Sequence, residues 1–450
     1  MKNEKNSNIS VKNIYKLDGR VPIGKAIPFG LQHVLAMFVS NLVPIILVVS
    51  AATAAHPDLK IDLPMLIQNC MLIAGLGSLI QLYPVWKIGA KLPVIMGVSF
   101  TFLASLIYVA TTFNYETMIG AIIVGGCIEG ILGLCAKYWR RFISPIVSAC
   151  VVTSIGFSLL GVGAASFGGG NGAADFGSAQ NVMIGTVTLV SCLLFNVFAK
   201  GFWKQLSILF GLIVGYLLSM YLGIIDFTPI VESKLIAFPK FMPFVPEFNL
   251  SAIIALVVVF MVSAAETIGD TTAVCIGGLG RDITEREIQG SLACDGFMSA
   301  LSGCFGCTPI TSFSQNVGLV AMTKVVNRFT IMFGALALIL AGLFPPIGAI
   351  FSTLPEPVLG GGTIMMFGSI VVSGMGMIAR CGFTPRNTTI ASLSLSVGIG
   401  FTQMPEIYKE LPKLARDVFS GNPVANVFVI ALILSLILPK TEEDKAYENK

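Results

Sequence analysis

Charge is what this chain has least of. Only 12% of its 450 residues are Asp, Glu, Lys or Arg, against 55% hydrophobic. So little polar surface cannot coat a soluble globule of this size. Histidine is nearly absent, with His33 and His56 the two in the chain. That leaves a membrane enzyme almost no acid–base equipment, and no nucleophile–base pair or metal cluster appears. The first 25 residues, MKNEKNSNISVKNIYKLDGRVPIGK, hold no apolar run before Ile27, so they read as a tail without a cleavable leader. Cysteines such as Cys70, Cys127, Cys150 and Cys192 sit inside apolar segments, where a thiol behaves as a small hydrophobe. No disulfide framework is expected. Cys304-x-x-Cys307 has no partner Cys or His at zinc spacing, so no metal and no cofactor are expected either. No basic and aromatic array points to nucleic acid.

What is present is a succession of apolar runs, with a mean hydropathy of +0.85. Taking about 20 apolar residues as one crossing, spans fall near 27–53, 63–84, 92–110, 117–136, 143–163, 181–199, 205–224, 250–268, 288–304, 312–323, 328–351, 357–379, 386–402 and 422–439. The expectation is an all-α polytopic membrane protein with fourteen transmembrane segments and membrane lipid around it. Basic residues test the count, since one span too many or too few would invert every later loop. With the N-terminus inside, only Lys60, Lys234, Lys240, Lys409, Lys413 and Arg416 of the 28 basic residues fall outside. Both termini are therefore expected in the cytoplasm of a multi-pass cell-membrane protein.

Two spans are too short or too broken for ordinary helices: KLPVIMGVSFTF (91–102) and TPITSFSQNVGL (308–319). Each has a Pro and then Ser-Phe-Ser/Thr, at Ser99-Phe100-Thr101 and Ser312-Phe313-Ser314. They are third and tenth in order, seven apart and hence opposite in orientation. Interrupted segments at matching places in two halves point to an inverted-repeat transporter with its site at the bilayer midplane.

Ionisable residues inside spans are functional candidates because they are costly there. Glu266 lies in SAAETIGDTTA among small residues that let a ligand approach, with Asp270 four positions on and on the same face. The alternative is a carboxylate at the helix end, which suits Asp270 better than Glu266. Asp295, followed by Gly296, is expected to face the interior, either titrating beside a site or hydrogen-bonding broken backbone. His33, after Gln32, reads first as a structural hydrogen-bonder. Glu129 is left unassigned. A short strand ending at Gln315-Asn316, then a half-helix beginning near Gly318, would aim free N–H groups and a positive dipole end at the mid-membrane. Such backbone is tolerated there only if buried or lining a cavity. The two carboxamides supply donors and acceptors together, matching a flat solute with alternating N–H and C=O edges.

The stretch QNVGLVAMTK (315–324) resembles the signature of the nucleobase–ascorbate transporter family, also called nucleobase:cation symporter 2. Gln32-His33 resembles its Gln-His pair, and Glu266 and Asp295 sit where its two functional carboxylates lie, a likeness running from about Gly24 to Pro439. The resemblance implies two inverted seven-span repeats, with short antiparallel strands in spans three and ten meeting at the substrate. It implies a core domain (27–140 and 250–353), a gate domain (141–226 and 354–439), tails at 1–26 and 440–450, and a homodimer. Glu266 and Gln315 would hold a nucleobase, with Asn316 and Gly318 shaping the pocket and Ser99 and Phe100 completing its wall. Asp295 would serve coupling, together with Asp270, and His33 would tune affinity. The coupling ion would be a proton, with sodium the alternative.

ETIGD (266–270) resembles the xanthine/uric acid branch. A uracil carrier would place a His-containing sequence after the Glu, and this chain does not. An anion carrier of the sulfate/bicarbonate type would set a basic residue beside its half-helices, yet no Lys or Arg occurs between Pro93 and Tyr108 or between Thr308 and Met322.

Overall fold

Apolar sequence broken by Pro, Gly and hydroxyl residues folds as helices interrupted at defined points. The computed structural model describes residues 9–440 and Asp444; the remainder of the two expected tails lies outside the described residues. Fourteen helices of ten or more residues occur among them: α1 (Ile23–Ala55), α2 (Leu63–Leu82), α3 (Leu103–Thr112), α4 (Tyr115–Leu134), α5 (Pro145–Phe167), α6 (Ala179–Phe198), α7 (Ser207–Tyr221), α8 (Leu250–Ala273), α9 (Glu285–Cys304), α10 (Ser314–Thr323), α11 (Arg328–Ala341), α12 (Glu356–Cys381), α13 (Pro385–Gly400) and α14 (Pro423–Ile437). Among the described residues, seven helical stretches are by length and composition long and apolar enough to cross a membrane, and two bent helix pairs raise that to nine.

The stretch 328–351, expected as one span, is broken. α11 ends at Ala341, and a helix at Pro345–Ser352 leaves it at 77°. Phe344, which precedes two prolines, takes φ −110 and ψ 91, because a proline ring excludes the helical conformation from the residue before it. Residues 9–20, expected as part of the N-terminal tail, pack against the start of α11. The Asn327 amide donates to the carbonyls of Asn13, Lys16 and Gly19 at 3.0, 3.1 and 2.9 Å, and Arg328 pairs with Asp18.

Two three-residue strands, β1 (Met96–Val98) and β2 (Ile310–Ser312), pair antiparallel with Met96 opposite Ser312 and Val98 opposite Ile310. A two-stranded ladder leaves each strand one bare edge, whose backbone groups need partners when buried. Side chains supply them here. The Met96 N–H donates to Ser78 Oγ at 2.9 Å and the Val98 N–H to Asn41 Oδ1 at 2.7 Å. On the other edge the Ile310 N–H donates to Ser299 Oγ at 3.2 Å and the Ser312 N–H to Asp295 Oδ2 at 3.1 Å. Gly97 has no room for a side chain: a Cβ would lie 2.6 Å from Met37 Cε and 2.7 Å from the Phe313 ring.

The strand in the second half ends earlier than expected. β2 stops at Ser312 and α10 starts at Ser314, so Gln315 and Asn316 form the first helical turn and Gly318 lies within the helix. The Phe313 N–H still donates to the Ile95 carbonyl at 3.0 Å, and the Phe313 carbonyl already accepts the Asn316 N–H at 2.9 Å, so the chain passes from ladder to helix at this residue. α3 and α10 leave from opposite ends of the ladder.

Packing divides the helices into two groups. α1–α4 pack with α8–α11, and α5–α7 pack with α12–α14. The tightest seam in the first group is α4 on α9, where a Cβ on Gly296 would meet the Gly130 nitrogen at 2.1 Å and one on Gly126 the Ala300 nitrogen at 2.6 Å. Stripes of small residues allow backbones that close. α6 keeps its apolar face outward, with Phe198 and Val197 exposed, as a surface against lipid would.

Candidate functional site

A cavity of about 920 Å³ lies between the two helix groups. One wall comes from β1, β2, α8 and the start of α10: Ser99, Phe100, Thr101, Glu266, Asp270, Ser312, Phe313, Ser314 and Gln315. The other comes from α5 and α12, including Val152, Ile155, Met366, Ile370 and Met377. The basic residues in its lining are Arg140 and Arg380, which follow α4 and close α12.

Two carboxylates share the polar wall because they are four residues apart on α8, one helical turn. Thr101 donates to Glu266 Oε2. Ser314 Oγ lies 2.9 Å from Asp270 Oδ2 and 3.4 Å from Glu266 Oε1, so it bridges the pair. Ser312 Oγ also reaches Asp270 Oδ2, at 3.1 Å. The long contact to Oε1 leaves that oxygen the freer acceptor. Gln315 is half-buried on the same wall, and its amide makes no hydrogen bond to another described residue. Phe100 meets Phe367 of α12 edge to face, with ring centroids 5.8 Å apart.

The expected site residues thus separate into two sets. Glu266, Asp270, Gln315, Ser99 and Phe100 come together on the cavity wall. The others stand behind it or away from it. Asp295 is fully buried, taking Gln81 Nε2 at 3.1 Å on Oδ1 and, on Oδ2, Thr267 Oγ1 at 2.5 Å and the Ser312 N–H at 3.1 Å. Asn316 is buried with its Nδ2 3.5 Å from Met37 Sδ. Gly318 has open space where a Cβ would stand and is not part of the lining. His33 is 1% exposed on α1, with Nδ1 unpartnered among the described residues. Glu129 is equally buried on α4, and both its oxygens lack partners there. Sequence reasoning missed Thr101, Thr267, Gln81 and the two serines as hydrogen-bonding partners. Among the described residues no three His, Cys, Asp or Glu side chains are placed to hold a metal ion.

The model of the Permease family matches residues 24–407. The chain belongs to this family. The permease is 34% identical over 453 residues to the protein named "Putative purine permease" in Clostridium perfringens, covering 100% of this chain and 98% of that one. It is 31% identical over 432 residues to the xanthine permease of Bacillus subtilis, covering 95% and 97%. The resemblance drawn from QNVGLVAMTK holds for the family as a whole. Among solved structures, the transmembrane domain of a cyanobacterium bicarbonate transporter, BicA, aligns with a TM-score of 0.51 over 90% of the permease and 97% of that chain. At 13% identity that likeness concerns the fold alone. The permease is a multi-pass membrane transporter and not an enzyme.

Proposed function

We infer that this permease carries a purine nucleobase, xanthine or uric acid, in symport with protons, and binds it between the two helix groups near the bilayer midplane. The observation that carries this reading is the pairing of a carboxylate with an unspent carboxamide on one cavity wall. Glu266 Oε1 can accept from ring N–H groups, while the Gln315 amide can both donate to and accept from a neighbouring edge. A flat heterocycle with alternating C=O and N–H groups fits that set, and Phe100 and Phe313 give its faces an aromatic surface. The guanidinium groups lie at Arg140 and Arg380 rather than beside α3 or α10, which disfavours a small inorganic anion as cargo.

The same reading takes the crossings as fourteen in two inverted sevens, with both termini cytoplasmic in the cell membrane. α1–α4 and α8–α11 form a core, α5–α7 and α12–α14 a gate, in a homodimer. Serines at matching places support the inversion: Ser78 of α2 and Ser299 of α9 each accept the N–H of the first residue of a strand. A cavity reaching Arg140 and Arg380 is then open to the cytoplasm. Uptake of labelled xanthine and urate in cells lacking their own carriers tests this, with guanine, hypoxanthine and uracil as competitors and with or without a protonophore. Purine uptake that the protonophore abolishes is expected. Uptake of uracil in preference to every purine, or accumulation that follows sodium instead, would refute it.

A further inference from the structure

Asp295 has a problem of access. It is fully buried and absent from the cavity lining, yet a coupling carboxylate must exchange a proton with the transport path. A line of side-chain hydroxyls spans the gap. Asp270 lines the cavity, and its Oδ2 is 3.1 Å from Ser312 Oγ. Ser312 Oγ is 3.2 Å from Thr267 Oγ1, which in turn donates to Asp295 Oδ2 at 2.5 Å. On the cavity side Ser314 joins Asp270 to Glu266. Each intermediate is a hydroxyl, which donates and accepts through the same oxygen. Gln81 touches Asp295 from the far side, but an amide has no proton it can readily give up. Glu129, the other buried acid of this helix group, makes no hydrogen bond within the line.

We propose that Ser312 and Thr267 form a proton relay carrying the coupling proton between the cavity carboxylates and the buried Asp295. The proposal rests on the reading of Asp295 as the coupling carboxylate. In the inward step the O–H bond of protonated Asp270 breaks and its proton passes to Ser312 Oγ. Ser312 passes its own proton to Thr267 Oγ1, and Thr267 passes its proton to Asp295 Oδ2. Asp270 ends as a carboxylate, Asp295 as a carboxylic acid and both hydroxyls as hydroxyls, so no water or other reactant is consumed. The step also has a mechanical consequence. Asp295 Oδ2 is the acceptor that holds the Ser312 N–H at the end of β2, so a proton arriving there competes with that hydrogen bond. The affected strand leads directly into Ser314 and Gln315.

Thr267→Val tests the relay, because it keeps the side-chain shape and removes the hydroxyl. In proteoliposomes of the full-length permease driven by a pH gradient, the maximal rate of xanthine uptake per folded transporter should fall by about 100-fold, the scale lost with a positioned proton-transfer group, while KM stays near the parental value. Thr267→Ser should restore the rate. Ser312→Ala interrupts the same line but leaves space that a water can fill, so its loss should be smaller; it carries the test if Thr267→Val folds poorly. A parental rate in both Thr267→Val and Ser312→Ala overturns the relay, and so does an equal loss in Thr267→Val and Thr267→Ser, which would mark Thr267 as packing only. Uptake by the parent that ignores a protonophore would instead defeat the symport reading, a result distinct from a protonophore-sensitive parent beside a parental Thr267→Val.

Discussion

Asp295→Asn separates what the carboxylate does as an acceptor from what it does as a proton carrier. Three donors converge on it: Gln81 Nε2 at 3.1 Å on Oδ1, and Thr267 Oγ1 and the Ser312 N–H at 2.5 and 3.1 Å on Oδ2. An asparagine supplies one oxygen. Turned toward Thr267 and Ser312, it sets its NH₂ against Gln81 Nε2, donor against donor. Gln81 cannot turn over to relieve this, because its Oε1 accepts the Ala90 N–H at 3.0 Å while its Nε2 also reaches Ser291 Oγ at 3.2 Å. One buried donor left unpaired costs about 1–3 kcal/mol, and two charge-assisted hydrogen bonds become neutral ones at roughly 1 kcal/mol between them or more. The expected loss is about 2–4 kcal/mol, read as a clear drop in melting temperature in detergent. Adding Gln81→Glu gives the introduced amide an acceptor but sets an oxygen against the Ser291 carbonyl, which Gln81 Nε2 reaches at 3.3 Å, so the double variant should regain part of the stability and none of the proton-driven uptake. A single variant that melts with the parent, or a double variant less stable than the single, would refute this account of Asp295.

Glu266→Gln removes a charge-assisted acceptor from the cavity wall, about 1.5–3 kcal/mol, so xanthine affinity should fall roughly 10- to 100-fold at normal membrane yield; binding within a factor of two of the parent would sink the assignment. Gln315→Glu changes a donor into an acceptor, so the ranking among xanthine, urate and their ring analogues should alter, whereas uniform loss with poor yield would make Gln315 scaffold. Gly97→Ala places a methyl 2.6 Å from Met37 Cε and 2.7 Å from the Phe313 ring, an overpacking cost of about 1–3 kcal/mol; a parental melting temperature would show that the strand ladder has slack.

Apolar runs were enough to locate most helices, because hydropathy and sidedness are summed over many residues and tolerate local error. The ends of broken elements were not so legible. β2 gives way to helix at Phe313, whose N–H still pairs with the Ile95 carbonyl while its own carbonyl accepts the Asn316 N–H; the outer-edge partner of Ser312, Asp295, is distant in the chain, and nothing within SFSQNVGL announces it. The break between α11 and Pro345–Ser352 was visible as two prolines, but the apolar window ran across them. For the cavity, Glu266 and Asp270 were legible because charge is rare in this chain and their spacing is one helical turn. The hydrogen-bonding roles of Thr101, Thr267 and Ser312 were not, since hydroxyl residues are common in apolar segments and in helices usually bond their own backbone, as Thr271 does to the Thr267 carbonyl. Asn316 and Gly318 belong to the motif but not to the cavity wall, because a helix starting at Ser314 turns successive residues to different faces.

The two strand edges show where the halves of the permease stop being equivalent. At the first residue of each strand a serine accepts the N–H, Ser78 for Met96 and Ser299 for Ile310. At the third residue the partners differ: Val98 gives its N–H to the Asn41 amide oxygen, Ser312 to the Asp295 carboxylate. As acceptors the two groups do the same structural work. Only one of them titrates. β1 is therefore pinned by a group whose state is independent of pH, and β2 by a group that a proton can disable. If proton arrival is to move one half of a pseudo-symmetric ladder and leave the other as a fixed reference, the second half is the one built to respond, and it is the half that carries Ser314 and Gln315 into the cavity.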